Sequence, residues 1–538
     1  MVTRYRFANG NSYFSGNKCE RHFSNRGSYD VQGSNAYAEK LHLLFDRPER
    51  RDGRMTIGIP RCLNMYEEYP FWHTLLYNCG IRVVLSEASN MAAYENNVRK
   101  VMSDNICFPA KLVHSHIATL AAQGVDRILM PYVIYERSED SKAVNSYNCP
   151  IVSGYSDVVR SVEKLPVPLD TPTVSFRSEK LLRRQCVDYL RTLGVDRKTA
   201  VKAFRLALNE YRSFTRRMKA ADENIVAASR AAGRLTIVLA GRPYHADPLI
   251  QHKLSDMIAS MGVDVITDDI VRDEQIEIGD THFVSQWAYP NRILRAAEWC
   301  VRQGSDVQFV QMTSFGCGPD ALLTDEVRDL LGRYGKSFAL LKIDDVSNIG
   351  SLKLRVRSLI ESLKLGHCHR SETRPFVTTP VFGEKDRHRK ILIPFFTPFI
   401  SPLIPHIVAR AGYEVESLPA SSAYTAEMGL KYANNEICYP ATLIVGDMIT
   451  ALQSGRYDIE NTAVAISQTG GQCRASNYIS LIKKALIENG YTHTPILSIA
   501  FGSGIDNQQP GFKVNWLKVL PIALAAVLYS DCIAKFYY

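Results

Sequence analysis

The sequence predicts an α/β fold built from repeated parallel-sheet units. Three observations carry this. Short apolar runs alternate with longer helical ones, a glycine stands between helix and following strand, and one such stretch recurs with its cysteine far along the chain. Residues 55–60 (MTIGIP) read as a first strand, 65–79 as a helix, and Gly80 leads into a strand at 81–85. Parallel neighbours need a crossover between them, so strand–helix–glycine–strand is the rhythm of a parallel sheet. Residues 118–123 close another helix, and 125–133 form the next strand. Three prolines in 164–172 mark a linker, and 179–232 is helical by pattern. A strand at 235–240 opens a second unit, with a helix at 249–261, Gly262, and strands at 263–266, 307–312 and 338–343. A third unit opens at 390–394. The expected organisation is a loosely structured leader (1–50), unit one (51–165), a linker and helical segment (166–233), unit two (234–370) and unit three (371–538).

The repeat is specific. Gly80-Ile81-Arg82-Val83 is echoed by Gly412-Tyr413-Glu414-Val415. Ile106-Cys107-Phe108-Pro109-Ala110 is echoed by Ile437-Cys438-Tyr439-Pro440-Ala441 at almost the same distance from its glycine. An apolar helix and then a strand follow each cysteine, so the match is an internal repeat. The middle unit shares the opening but lacks the Ile-Cys-aromatic-Pro-Ala run.

Composition narrows the function. The 538 residues are 46% hydrophobic and 22% charged, an ordinary globular balance that needs no disulfide staple. The net charge of +9 is dispersed, without a run of five basic residues, which disfavours nucleic-acid binding but suits an anionic small molecule. Residues 1–25 show no apolar signal core, so a cytoplasmic setting with reduced thiols is expected. The apolar stretch 519–529 is too short for a bilayer and reads as a buried helix. No membrane association is expected.

Twelve reduced cysteines raise the prospect of metal or redox chemistry. Cys107, Cys317 and Cys438 are each followed two residues later by proline, and Cys149 directly by Pro150. Proline favours the first turn of a helix, so these cysteines should stand at helix N-termini, where the free N–H groups favour thiolate. Cys473 follows the strand 463–467 through Gly470-Gly471, a turn that lets backbone approach a bulky group. These five are the candidate ligands. No C-x2-C pair occurs, which removes the usual zinc-ribbon and ferredoxin signatures. Cys79, Cys186, Cys300 and Cys532 fall in helical patterns and are assigned to packing; Cys62, Cys368 and Cys19 remain unassigned. Gly332–Ser337 lacks the spacing and context of a phosphate loop, and His367-Cys368-His369 reads as surface. The loop Gly241–Pro248 offers either an anion contact or a plain helix start.

Several motifs together look familiar. Ile57–Arg61 with Asn64–Glu67, Cys107–Lys111, Asn148–Pro150, Gly241–His245, Phe315–Asp320, Cys438–Ala441 and Gly470–Ala475 resemble, in order, the motifs of the 2-hydroxyacyl-CoA dehydratase / acyl-CoA dehydratase activase-related family. The resemblance runs from about Tyr13 to the C-terminus. It implies repeated Rossmann-like parallel-sheet domains related to 2-hydroxyacyl-CoA dehydratase subunits, in an anaerobic setting. It implies a cysteine-ligated iron–sulfur cluster, [4Fe-4S] or double cubane, held by Cys107, Cys149, Cys317, Cys438 and Cys473. It further implies electrons from an ATP-dependent activator of the acetate-kinase/actin type, used for acyl-CoA dehydration or small-molecule reduction. The alternative is a degenerate binding or regulatory module of the same fold. Relatives carry ATPase domains upstream and continue beyond the equivalent of Tyr538, so the chain is expected to be the C-terminal, cluster-binding part. Tyr132 stands where relatives show cysteine after proline.

Overall fold

Apolar runs become strands and the stretches between them become crossovers. The computed structural model describes residues 3–6, 12–15, 32–162, 164–274, 276–345, 349–364, 373–500 and 507–538. Cys19 and the His367-Cys368-His369 group lie outside the described residues.

Within the expected leader, residues 36–45 are ordered into the fold instead of loosely structured. Helix α1 (Ala36–Phe45) is capped by Asn35, whose side chain accepts from the Tyr37 N–H. Tyr37 donates its hydroxyl to the Leu239 carbonyl at 2.6 Å, and Lys40 pairs with Asp269 at 2.6 Å. A buried tyrosine and lysine need such partners, and the second unit supplies them.

The first sheet comprises β1 (Thr56–Ile59), β2 (Arg82–Leu85), β3 (Arg127–Leu129) and β4 (Leu169–Asp170). Its crossovers include α2 (Met65–Tyr77), α3 (Phe108–Ala122) and α4 (Pro150–Val162). The expected strand 125–133 stops after Leu129 and resumes at Tyr132–Tyr135, which pairs separately with Thr173–Ser175. Pro131 at the break has no N–H to give a ladder. Helices α5 (Glu179–Thr192) and α6 (Arg197–Ala231) follow. Asp196 caps α6 through the Thr199 N–H at 3.0 Å, and α6 buries Ala200, Ala203, Phe204, Ala207, Tyr211 and Phe214 as one stripe.

The second sheet holds β5 (Thr236–Ala240), β6 (Asp264–Ile266), β7 (Val307–Ser314) and β8 (Phe338–Ile343), with α7 (Ala288–Val301) and α8 (Gly318–Arg333). The third holds β9 (Lys390–Ile393), β10 (Val415–Ser417), β11 (Thr462–Gln468) and β12 (Ile496–Ala500). Its helices are α9 (Ile404–Ala409), α10 (Tyr439–Gln453), α11 (Tyr478–Glu488) and α12 (Trp516–Tyr537).

All three sheets are parallel and share one order: second strand, first, third, fourth. The middle unit, which lacks the cysteine run of the repeat, keeps the same topology. One hydrophobic core joins the first unit, α6 and part of the second, while another joins the second to the third. A small third core lies on the other face of the last sheet.

The expected buried helix at 519–529 belongs to the longer α12, which is mostly exposed: Leu517 is 90% and Leu528 67% accessible. By length and composition alone α12 is long and apolar enough to cross a membrane. Apolar composition marks a need for cover without naming what supplies it.

Candidate functional site

Each of the five candidate cysteines stands where a helix begins. Cys107, Cys317 and Cys438 have extended backbone and occupy the N-cap positions of α3, α8 and α10, each with proline in the first turn. Cys149 immediately precedes Pro150 and α4. Cys473 caps the short turn Arg474–Asn477 that leads into α11.

The topology gives these positions a common logic. Cys149, Cys317 and Cys473 follow the third strand of the first, second and third sheets, whereas Cys107 and Cys438 follow the second strand of the first and third. In parallel α/β sheets the strand C-terminal ends are where ligands gather.

Contacts between loops draw the cysteines together. Cys107 and Cys149 are near enough for their negative charges to oppose each other, and Cys317 feels Cys107 in the same way. The buried Tyr244 lies within electrostatic reach of Cys149, Cys317 and Cys107. Tyr478 lies within electrostatic reach of Cys438 and Cys473. The two groups are joined by the loop after β11. Gln472 Nε2 donates to the Asn148 carbonyl at 3.0 Å and to Ser153 Oγ at 2.9 Å, beside Cys149. Gln286 donates to the Cys473 carbonyl at 3.0 Å. A side chain at Gly318 would collide with the Arg474 guanidinium, so glycine there lets Arg474 lie against the start of α8.

Arg242, at the end of β5, is the buried cation of the site. It donates to Asp320 Oδ1 through Nε at 2.9 Å and Nη2 at 2.7 Å, and its Nη2 lies 3.7 Å from Cys317 Sγ. Thr313 donates to the other Asp320 oxygen at 3.0 Å. Burial disfavours the guanidinium charge, but Asp320 and Cys317 hold it. The loop Gly241–Pro248 is thus spent largely on internal bonds. His245 Nδ1 accepts from the Arg242 N–H at 3.0 Å, Nε2 bonds Ser314 at 2.9 Å, and burial lowers the imidazole to about 4, so the ring is neutral. Asp247 accepts from the Tyr66 and Ser89 hydroxyls.

The thiolate expectation meets a stronger effect. Burial pushes the Cys107 thiol up to about 12, with the Cys149 charge adding to it, and burial with Asp320 raises Cys317 well above its usual value. Desolvation here outweighs the helix N-terminus. A bound cation is what would displace these protons.

The other cysteines divide. Cys186 and Cys300 are buried in α5 and α7, and Cys62 and Cys79 are buried as well. Cys532 is exposed on α12 and does not pack. Tyr132 starts an edge strand, and its hydroxyl is buried without a hydrogen-bond partner. Arg242, Asp320, Gln472 and Tyr478 escape sequence reasoning as a constellation, because their partners lie far away in sequence.

Among the described residues, no group of three or more His, Cys, Asp or Glu side chains is close enough to hold a metal ion. The donors are all thiols, and they lie around Arg242, Tyr244 and Tyr478 instead of at one point. That donor set fits a multi-iron cluster better than a single ion.

Fold and site together define an α/β protein of three like parallel-sheet units, with cysteines gathered at strand ends. Residues 56–271 match the family model described as a CoA enzyme activase uncharacterised domain. The matched span includes Cys107, Cys149 and Arg242; Cys317, Cys438 and Cys473 lie beyond it. No curated protein matches the chain.

Proposed function

We propose that the chain is an iron–sulfur redox component of the dehydratase/activase-related type, working in the cytoplasm. The observation that carries this reading is the gathering of Cys107, Cys149, Cys317, Cys438 and Cys473 from three sheets into one region. These five would hold the cluster, [4Fe-4S] or double cubane. When bound, the cluster supplies one-electron chemistry at low potential. The chain's part is electrostatic and steric. Arg242 and Arg474 offset the negative charge of thiolates, Tyr478 stands beside Cys438 and Cys473, and the buried Tyr244 keeps water from the inner cysteines. The electron donor in this reading is a separate ATP-dependent activator of the acetate-kinase/actin type, as the activase-related domain suggests. The acceptor is a small molecule such as an acyl-CoA thioester.

Anaerobic purification followed by iron, sulfide and zinc analysis tests the proposal. The expected result is several irons per chain matched by sulfide, with iron lost in Cys107→Ala and Cys438→Ala. A colourless chain that takes up no iron on anaerobic reconstitution overturns it and leaves a non-catalytic module of the same fold. Stoichiometric zinc overturns it in favour of a zinc protein.

A further inference from the structure

The third sheet has one face covered well and one covered thinly. Strand alternation sends Leu392, Val464 and Ile466 into the core with α10 and α11, and Ile391, Ile393, Ala463 and Ala465 to the other side. On that other side the crossover from β9 to β10 carries only the six-residue α9, where the first sheet has the thirteen-residue α2. Small alanines on the central strand add depth beneath it. The outcome is a cavity of about 530 Å³ between the sheet, α9 and α12.

Its chemistry is one-sided. Ile393, Ile404, Val408, Leu497 and Phe512 form the walls, Val527 of α12 closes one side, and among the described residues no charged one lines it. Polar residues occur only as Ser467, Gln468 and Thr469, at the C-terminal end of β11. Alternation puts Ser467 on the cavity face with Ala465, while Gln468 turns away and donates to the Ser476 carbonyl at 2.8 Å. The chain then runs through Gly470 and Gly471, both with positive φ, to Cys473. The volume falls in the range of small-molecule sites. Apolar space of this kind holds water poorly and leaves its lining short of dispersion partners.

We infer that this cavity binds the aliphatic chain of a soluble fatty-acyl amphiphile, with the polar head at Ser467 and Thr469. With no charge among the described lining residues the interior rejects a guest charged along its length, and a single polar end admits a molecule whose one head group, neutral or carboxylate, stays at that end. A bilayer would engage the outward side of α12, where Leu517 and Leu528 project, and would leave the cavity unfilled. The inference rests on the cavity alone and holds whether or not the cysteines carry a cluster.

The test uses the full chain and a fluorescent polyene fatty acid, displaced by decanoate, palmitate or a palmitoyl thioester. Metal content is measured on the same samples, so failure here is distinct from failure of the redox reading. Saturable binding near one per chain is expected, and competition by free acid against thioester identifies the preferred head. Ala465→Phe and Val527→Trp fill the cavity from its floor and from its half-open wall. Excluding about two methylenes of the guest weakens binding roughly tenfold. Val527 is itself 55% exposed, so its replacement spares the fold if Ala465→Phe does not. Leu517→Ser, on the outward side of α12, should leave affinity unchanged. No saturable binding, binding by both filled variants as tight as by the unsubstituted chain, a loss in Leu517→Ser as large as in Val527→Trp, or binding only to phosphatidylcholine vesicles would each overturn the inference.

Discussion

Adjacent carboxyl groups on α2 are driven in opposite directions by their neighbours. Glu67 is buried, yet Arg272 and Arg292 bond it and hold its carboxyl down to about 2. Glu68 is buried facing Glu136, and burial with the Glu136 charge raises it well above the ordinary value. Asn64 Nδ2 bridges the two, at 2.8 Å from Glu68 and 2.6 Å from Glu136. Trp72 also donates to Glu68 at 3.0 Å, and Asn148 and Tyr289 to Glu136 at 2.7 and 3.0 Å. Two like charges this close share a proton. The folded pair keeps that proton above the ordinary carboxyl value of 4.5, where the unfolded chain has released it. Stability contributed by the pair therefore falls as pH rises from 4.5 toward the raised value, by about 1.4 kcal/mol per pH unit for one proton. Glu67 behaves oppositely: its contribution is present above 4.5 and is lost as pH falls toward about 2. Glu68→Gln should flatten the decline in urea-denaturation stability as pH rises above 4.5 and remove the infrared carboxylic-acid band expected of the pair. A variant with an unchanged slope and band would mean that the pair holds no shared proton.

At the scale of elements, the informative pieces are the turns that deliver cysteines to helix starts. Proline two residues after a cysteine made those starts readable, because its fixed φ and missing N–H suit the first turn. What local rules could not supply was the meeting of one turn with another. Gly316 is such a junction. It joins β7 to Cys317 with φ +74, and a Cβ there would lie 3.1 Å from the Asn105 carbonyl, in the loop that leads to Cys107. Gly316→Ala is expected to cost about 1–2 kcal/mol for the left-handed backbone alone. It also presses the two cysteine loops apart. Thermal melts read the first effect and iron retention the second; Gly332→Ala, in the last turn of α8 with open space around its Cβ, is the control. Helix α12 shows the opposite limit of legibility. Its apolar run was visible, but burial depends on a partner, and most of its apolar side chains stay exposed among the described residues.

For the whole molecule, the repeat explains both what the sequence disclosed and what it withheld. Strand–helix–glycine–strand patterns recur because a parallel sheet cannot be built otherwise, so the fold class was open to reading from residues alone. The joining of units was not. Glu67 of the first unit meets Arg272 and Arg292 of the second. Pairs of this kind arise only when the sheets dock, and each side looks like an ordinary surface charge in sequence. The same docking sets Cys107 and Cys317, from the first and second units, within electrostatic reach of each other, and lays Arg474, next to Cys473, against the start of α8. This geometry makes a prediction about coupling. If each unit held its own metal, Cys107→Ala and Cys438→Ala would remove independent shares of iron, and the double variant would lose their sum. A single site shared by the units behaves otherwise. Either substitution alone should strip most of the iron, and the double variant should lose little more. The thermal shift caused by cluster loss should be non-additive in the same way, because a group that binds only the docked arrangement stabilises all three units at once. Additive losses of iron and of melting temperature would assign the cysteines to separate sites.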